Sequence, residues 1–290
     1  MLPSVADPDT GKADPRRAIR AALLAEQSGF DGVYVGDHLL HPYPILESLV
    51  SLAAVAANTQ RVIVGPCVLL VALREPLFLA KQLGTLDALA PGRLRVGVGV
   101  GGEYPGEFVT AGVPLSQRGT RTDLALNTLR KLMSEGVRSE GAVMQPLAPD
   151  VPFFVGGHSD RAIARAATTQ GWIGYLLSPD SFARRHAKLK NLNQDPHFAT
   201  GMLLPCHVED SSDAARSASR AWSRMTDSRD MIPERFFMAG SPERIAERLQ
   251  QYWELGCGEF IVGVAEQGSR YLDQVSQFAE EVLPLVRKFR

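Results

Sequence analysis

The sequence lacks most features that would mark a scaffold, a membrane protein or a secreted module. It has three cysteines in 290 residues, Cys67, Cys206 and Cys257, an odd number with no CxxC spacing. That rules out a disulfide framework and fits a reduced cytosolic chain without structural zinc. Its longest apolar run, residues 67–73, holds seven residues, against the ~20 that cross a bilayer. Asp7, Asp9 and Asp14 fall where a secretory signal would carry its apolar core, so the expected location is cytoplasmic. Neither charge is in excess: 31 Lys+Arg stand against 32 Asp+Glu, a net charge of −1. No overall field recommends nucleic acid or an anionic membrane as partner. What is present is apolar material, 45% of the chain, enough to close a sizeable core and exclude disorder as the main state. The expected partner is a small molecule.

Short β-branched runs alternate with amphipathic stretches, the rhythm of a β/α protein. Ala18, Ala22, Leu23 and Ala25 share one helical face, Gly29 closes that helix, and residues 31–37 follow as a strand. Further strands are expected at 61–70, 94–99, 149–157, 172–177, 199–208 and 259–264. The intervening helices are expected at 46–57, 76–90, 116–134, 159–169, 180–192, 211–225, 241–256 and 271–288. Ser241-Pro242-Glu243 is a helix start, with a capping serine, proline in the first turn and an acid at the positive end. These strands suit a parallel sheet covered by helices, but they stop one short of a closed eight-stranded barrel. The one candidate for a first strand, residues 1–4, is shorter than the usual length of about five. A clipped first strand is expected, with the reading frame beginning upstream or another segment filling the gap. No linker divides the chain, so residues 1–290 are read as one domain.

Several motifs admit a functional and a plain reading. Gly97-Val-Gly99-Val-Gly101-Gly102 is a formal GxGxxG, with Asp123 about twenty residues on. A dinucleotide fingerprint needs a helix opening at the glycines, and Glu103-Tyr-Pro-Gly106 is expected to break the backbone there. What remains is close backbone packing, or a strand end stripped of side chains so that a planar ring can lie across it. Asp37-His38 ends a strand, the catalytic face of a barrel, where a histidine exchanges protons near neutral pH or merely satisfies loop hydrogen bonds. His41 completes HxxH, but no third ligand is apparent and no metal is expected. Residues 155–160, Val-Gly-Gly-His-Ser-Asp, present backbone N–H groups suited to a phosphate, or form an ordinary tight turn. Arg161 stands where a nucleophile elbow would close with glycine, which argues against a serine hydrolase. Arg118 and Arg121, at a helix start, are expected to pair with carboxylates or a ligand. Cys67 reads as a small core residue rather than a reactive thiol.

In combination, Gly29-Phe-Asp-Gly-Val-Tyr-Val-Gly-Asp-His38, Leu79-Ala-Lys-Gln-Leu-Gly-Thr-Leu-Asp87 and Gly92-Arg-Leu-Arg-Val-Gly-Val-Gly-Val-Gly101 resemble the bacterial luciferase-like monooxygenase superfamily. Gly112-Val-Pro-Leu-Ser-Gln-Arg-Gly-Thr-Arg-Thr-Asp123, Val155-Gly-Gly157 and Gly240-Ser-Pro-Glu243 continue the resemblance, which covers the chain from about residue 15. It implies an α/β fold, a luciferase-like (β/α)8 TIM barrel with a shortened first strand and insertions in the βα loops. The implied cofactor is FMN or the deazaflavin coenzyme F(420), its ring against Asp37, Cys67, Val68, Gly99, Gly101 and Gly102. Its phosphate would lie at Val155, Gly156, Gly157 and His158. The implied catalytic residues are His38, over the reactive centre of the ring, and Glu103, similar to a carboxylate that sugar-phosphate dehydrogenases of the deazaflavin branch place near substrate. Relatives carry a non-proline cis peptide that maps to Cys67–Val68. Pro66 and Leu70 depart from the pattern and offer the cofactor no hydroxyl on that strand.

The style of residues 98–115 leans toward the deazaflavin branch. The implied activity is hydride transfer between coenzyme F(420) and a small organic substrate. The alternative is a two-component FMN monooxygenase fed with reduced flavin by a reductase, and the non-enzymatic reading is a flavin-binding barrel without turnover. Relatives dimerise through barrel helices, so a homodimer is implied. The substrate pocket is expected from the loop after Gly102, the insert at 134–152, and the segment 225–240, where Phe236, Phe237 and Met238 form an apolar wall or pack in the core.

Overall fold

The structure, a computed structural model, describes residues 1–7, 9–226 and 234–289. Helix α1 (Pro15–Gln27) leads into strand β1 (Gly32–Val35), followed by α2 (Ser48–Asn58), β2 (Ile63–Pro66), α3 (Pro76–Leu89) and β3 (Val96–Val98). A short α4 (Pro105–Thr110) and the long α5 (Arg118–Glu135) precede a hairpin, β4 (Arg138–Ser139) and β5 (Ala142–Val143). Then come β6 (Phe153–Gly156), α6 (Asp160–Ala166), β7 (Gly171–Tyr175), α7 (Pro179–Leu192), β8 (Ala199–Val208), α8 (Ala214–Thr226) and β9 (Met238–Gly240). The chain ends with α9 (Pro242–Glu254), β10 (Glu259–Val264), α10 (Tyr271–Gln277) and α11 (Leu283–Val286).

Four helices open with the same chemistry: proline in the first turn, behind an Asp14, Glu75, Ser178 or Ser241 side chain that accepts a backbone N–H of that turn. The capping side chain satisfies a donor that the helix cannot, and proline removes another. The same rule overturns one expectation. Pro105 does not break the backbone after the glycines but starts α4, because its missing N–H is harmless at a first helical position. The expected single helix at 271–288 is interrupted by a π-helical turn at Phe278–Val282, one turn before Pro284, which cannot donate to the ladder.

Apart from the antiparallel β4–β5 hairpin, the strands are parallel and run around a barrel. β1 pairs with β2, and β2 reaches β3 through the bridges Val64 to Leu94 and Leu69 to Val98. From β3 the order is β6, β7, β8 and β10, with β9 joining only the C-terminal tip of β8. Between β10 and β1 the place of an eighth strand is held by two residues. The Leu2 N–H donates to Tyr34 O at 2.7 Å, and the Met1 amino group donates to Val262 O at 2.6 Å. Below them the seam opens into a cavity of about 320 Å³ walled by Val33, Phe260, Val262 and Phe278.

Two layers of side chains fill the molecule. Tyr34, Cys67, Phe154, Ile173 and Ile261 meet inside the barrel, while a larger cluster lies between strands and helices, including Leu52, Leu79, Leu129, Trp172 and Phe182. Strand alternation makes this division. Gly65 permits β2 and β3 to close, since a Cβ there would lie 1.7 Å from Arg95 O. No helix among the described residues is long and apolar enough to cross a membrane.

Candidate active site

A cavity of about 500 Å³ opens at the C-terminal ends of the strands, the face where barrel loops gather functional groups. Its floor is built by Val68. A Cβ on Gly99 would stand 2.3 Å from Val68 Cγ2, and one on Gly156 would stand 2.7 Å from Val68 Cγ1. Both glycines are therefore required by packing, and the packing leaves Val68 as a flat apolar step with no side chain rising from either neighbouring strand. The Cys67–Val68 peptide is cis, as the resemblance implied. Gly101 also lines the cavity with φ +65°, backed by the Phe108 ring. This clear, shallow floor fits a planar tricyclic ring.

Asp37 and His38, adjacent at the end of β1, are put to opposite uses. Asp37 is 4% exposed, and both its oxygens are engaged. Arg74 donates to them at 2.7 and 2.9 Å, Ser48 Oγ at 2.8 Å and the Leu70 N–H at 2.9 Å. One carboxylate thus ties the strand end to α2 and to the segment after Val68, and Arg74 continues to Glu47 at 2.9 Å. It lines the cavity without an oxygen to spare, so its role there is support.

His38 faces the cavity and is 21% exposed at the side chain. Its Nδ1 lies 3.4 Å from Glu107 Oε1, while Glu107 Oε2 accepts the Leu39 N–H at 3.0 Å. Glu107 itself is fully buried. Burial works against a charged imidazole, but the hydrogen bond and negative charge of Glu107, with Glu103 and Asp37 behind it, outweigh burial and raise the His38 pKa above its ordinary value. With Nδ1 turned to Glu107, Nε2 is the nitrogen left for a ligand. Tyr104 stands edge-on to His38 with ring centroids 4.9 Å apart and also meets His41 at 5.1 Å.

Opposite His38, Tyr175 and Trp222 close the far wall, and Phe237 packs edge-on behind Trp222 at 6.3 Å. Burial, then the charge of Glu103, pushes the Tyr175 hydroxyl well above its usual range. Glu103 is exposed at the rim and feels both sides of the mouth. At the edge near α6, Gly156, Gly157 and His158 line the cavity, with Gly157 at φ +118°. The Trp172 indole donates to Gly157 O at 2.7 Å, and the Arg185 guanidinium donates to His158 O at 2.8 Å.

The structure thus brings His38, Glu103, Asp37, Cys67, Val68, Gly99, Gly101, Gly156, Gly157 and His158 around one cavity. Two expected members fall outside it. Val155 turns its side chain into the core between strands and helices, as alternation from Gly156 requires, and Gly102 backs onto Arg118. Cys67 is buried on the inner face, which pushes its thiol up to about 12, so it acts as a core residue. Among the described residues, Arg118 and Arg121 donate to the carbonyls of Leu115 and Ala72, loop oxygens within reach of the helix start, and not to carboxylates. Asp123 pairs with Arg165.

The insert at 134–152 does not build the mouth. It follows a helix and precedes a strand, so it lies at the opposite end of the barrel, where Lys81 bonds Gln145 O and Gly84 packs on Pro146. Of the expected apolar wall, Phe237 and Met238 are core residues, and residues 227–233 of that segment lie outside the described residues. Glu107, Tyr104, Tyr175, Trp222 and Gln267 were not foreseen. Glu107 has one local signal, an acid one turn beyond Glu103 on a proline-led helix. Among the described residues no three His, Cys, Asp or Glu side chains are grouped to hold a metal ion.

Comparison with known proteins agrees with this architecture. The F(420)-dependent glucose-6-phosphate dehydrogenase of Kribbella flavida is 26% identical over 325 residues, covering 94% of this chain and 95% of that protein. An F(420)-dependent secondary alcohol dehydrogenase, solved with an F(420)-acetone adduct, superimposes with a TM-score of 0.77 at 20% identity, covering 94% of this chain and 95% of the other. The oxygenating constituent of 3,6-diketocamphane monooxygenase from Pseudomonas putida, solved with FMN, superimposes with a TM-score of 0.74 at 17% identity and covers 98% of both chains. The two structures share the barrel fold. The sequence profile of luciferase-like monooxygenases matches residues 1–229. The chain belongs to the luciferase-like monooxygenase family.

Proposed function

We propose that this single barrel domain is an oxidoreductase that moves hydride between the deazaflavin coenzyme F(420) and a small organic substrate. The observation that carries the reading is the pairing of a side-chain-free floor with a histidine held by a buried carboxylate. Val68, Gly99, Gly101 and Gly156 would support the ring, and Gly156, Gly157 and His158 would receive the phosphate-bearing end, with Arg185 as a neighbouring cation. Support for a deazaflavin over FMN comes from the Kribbella flavida relative, similar over nearly its whole length and F(420)-dependent by name.

When bound, the coenzyme supplies the hydride acceptor or donor. His38 manages the proton. In the oxidative direction its Nε2 would take the proton of a substrate hydroxyl, which prepares that carbon to become a carbonyl. Glu107 orients the ring and stabilises the imidazolium that results, at a fully buried position where its charge is little screened. Tyr104 stands edge-on to the His38 ring and limits water there.

Titration of the purified chain with coenzyme F(420) and with FMN, each oxidised and reduced, tests the assignment. Tighter binding of F(420) is the expected result, and tight binding of FMN alone would transfer the site to oxygen chemistry with reduced flavin supplied by a reductase. Binding of neither would overturn both. His38→Ala is expected to abolish turnover while retaining coenzyme, whereas unchanged turnover would leave only a binding role.

A further inference from the structure

The charge of the mouth narrows the substrate, on the reading that the mouth is the redox site. Among the described residues that line it there is no lysine and no arginine. Asp37 is already neutralised by Arg74. Glu103 stands at the rim with no ion-pair partner among the described residues. The Met1 nitrogen is occupied by Val262 O at 2.6 Å. The three histidines are His38, bonded to Glu107, His41, bonded to the Tyr43 backbone, and His158 at the coenzyme edge. Facing them are Ile173, Leu203, Val264 and Trp222.

A phosphate ester carries about two negative charges at neutral pH. Taken from water into a wall of aliphatic and aromatic side chains, where His38 already shares its charge with Glu107 and Glu103 adds a negative one, it loses hydration that no lysine or arginine of the described lining replaces. We propose that the substrate is an uncharged, mainly apolar molecule that reacts at a hydroxyl or carbonyl carbon, and that phosphorylated substrates are excluded. In the oxidative direction the carbon's hydrogen passes as hydride to the oxidised deazaflavin and the hydroxyl proton passes to His38. The products are a ketone or aldehyde and the reduced deazaflavin, with the proton released to solvent. The inference separates this chain from the relative whose name specifies glucose-6-phosphate.

Equilibrium binding of a pair that differs by one phosphoryl group tests it: cyclohexanol against cyclohexyl phosphate, by calorimetry, on the chain with and without coenzyme F(420). The alcohol is expected to bind at least about tenfold more tightly. Gln267→Lys places an ammonium group in the mouth and is expected to narrow that ratio by about fivefold. A wild-type chain that binds the ester as tightly as the alcohol overturns the proposal, and so does a ratio unmoved in Gln267→Lys. The coenzyme-free titration keeps this result separate from the cofactor assignment, because a chain that fails to bind F(420) still reports the charge preference of its cavity.

Discussion

Replacing Gly99 with alanine tests the floor on which the proposed coenzyme rests. The new methyl group would stand 2.3 Å from Val68 Cγ2, where unbonded carbons settle at ~3.5–4.0 Å. Over an ångström of overlap cannot be absorbed by rotation alone, because Val68 is already held on its other side by Gly156, 2.7 Å from where a Cβ would lie. Overpacking of this kind costs about 2 kcal/mol. Val68→Ala deletes two methyl groups from a half-buried site, a loss of about 1–1.5 kcal/mol. If the two sites were independent, the double variant would lose about 3–3.5 kcal/mol. If the contact is as described, alanine at 68 makes room for alanine at 99 and the double variant loses only about 1.5 kcal/mol, a coupling of about 2 kcal/mol. Urea unfolding of the coenzyme-free chain, with the four proteins compared at equal m-values, measures the cycle. Additivity within about 0.5 kcal/mol would refute the packing account of the glycines. Coenzyme affinity, read separately, is expected to fall in Gly99→Ala, where Val68 is pushed upward, and to recover in the double variant.

Glu107→Gln removes the charge that raises His38, so the His38 protonation midpoint, followed by its ring proton resonances, is expected to move down and the acid limb of turnover to move with it; an unmoved midpoint would contradict the pairing. The stability His38 draws from that pairing is full below its ordinary value near 6.5 and lost as pH rises through its higher folded value, so His38→Ala is expected to cost more at pH 5.5 than at pH 9 in denaturant unfolding. Asp37→Asn breaks a bidentate pair whose carboxylate is 2% exposed and whose guanidinium is 21% exposed, and is expected to lower stability by about 2–3 kcal/mol; a loss under about 0.5 kcal/mol would deny it a fastening role. Gly65→Ala would place a Cβ 1.7 Å from Arg95 O and is expected to prevent soluble expression, whereas Gly106→Ala meets nothing within 4 Å and is expected to leave the melting temperature unchanged or raise it.

The strand positions were legible because parallel strands buried on both faces carry dense apolar signals. All seven strands expected after residue 30 form the barrel, with boundaries trimmed by a few residues. What could not be read was local geometry set by distant partners. Gly99 and Gly156 lie 57 positions apart in sequence, yet each is glycine because of the same valine, and no window around either one contains that fact. Glu107 is similar: its partners His38 and Leu39 are 69 and 68 positions away, so its burial is a tertiary outcome. The insert at 134–152 was misplaced for a different reason. Composition marks a loop, but only its position after a helix and before a strand fixes which end of the barrel it reaches.

Asp37 and His38 show how one strand end yields both a fastening and a reactive group. Successive residues on an extended backbone project to opposite sides. At the end of β1 one side meets α2 and the segment after Val68, rich in unsatisfied donors, and the other meets the open mouth. A carboxylate on the first side takes four hydrogen bonds and holds the strand end to its neighbours. An imidazole on the second side inherits that fixed backbone, and Glu107 then needs to set only its ring. The carboxylate that bonds the Leu39 N–H is the one that bonds the His38 ring, so the backbone and the side chain of the reactive group share a single buried anchor. Loss of Glu107 therefore loosens the loop and removes the hydrogen-bonded charge together, while loss of Asp37 loosens the loop and removes only a weaker, more distant charge. Comparing the two variants in the His38 titration weighs the contact charge against the more distant one: Glu107→Gln is expected to lower the midpoint further than Asp37→Asn, and equal shifts would contradict the pairing.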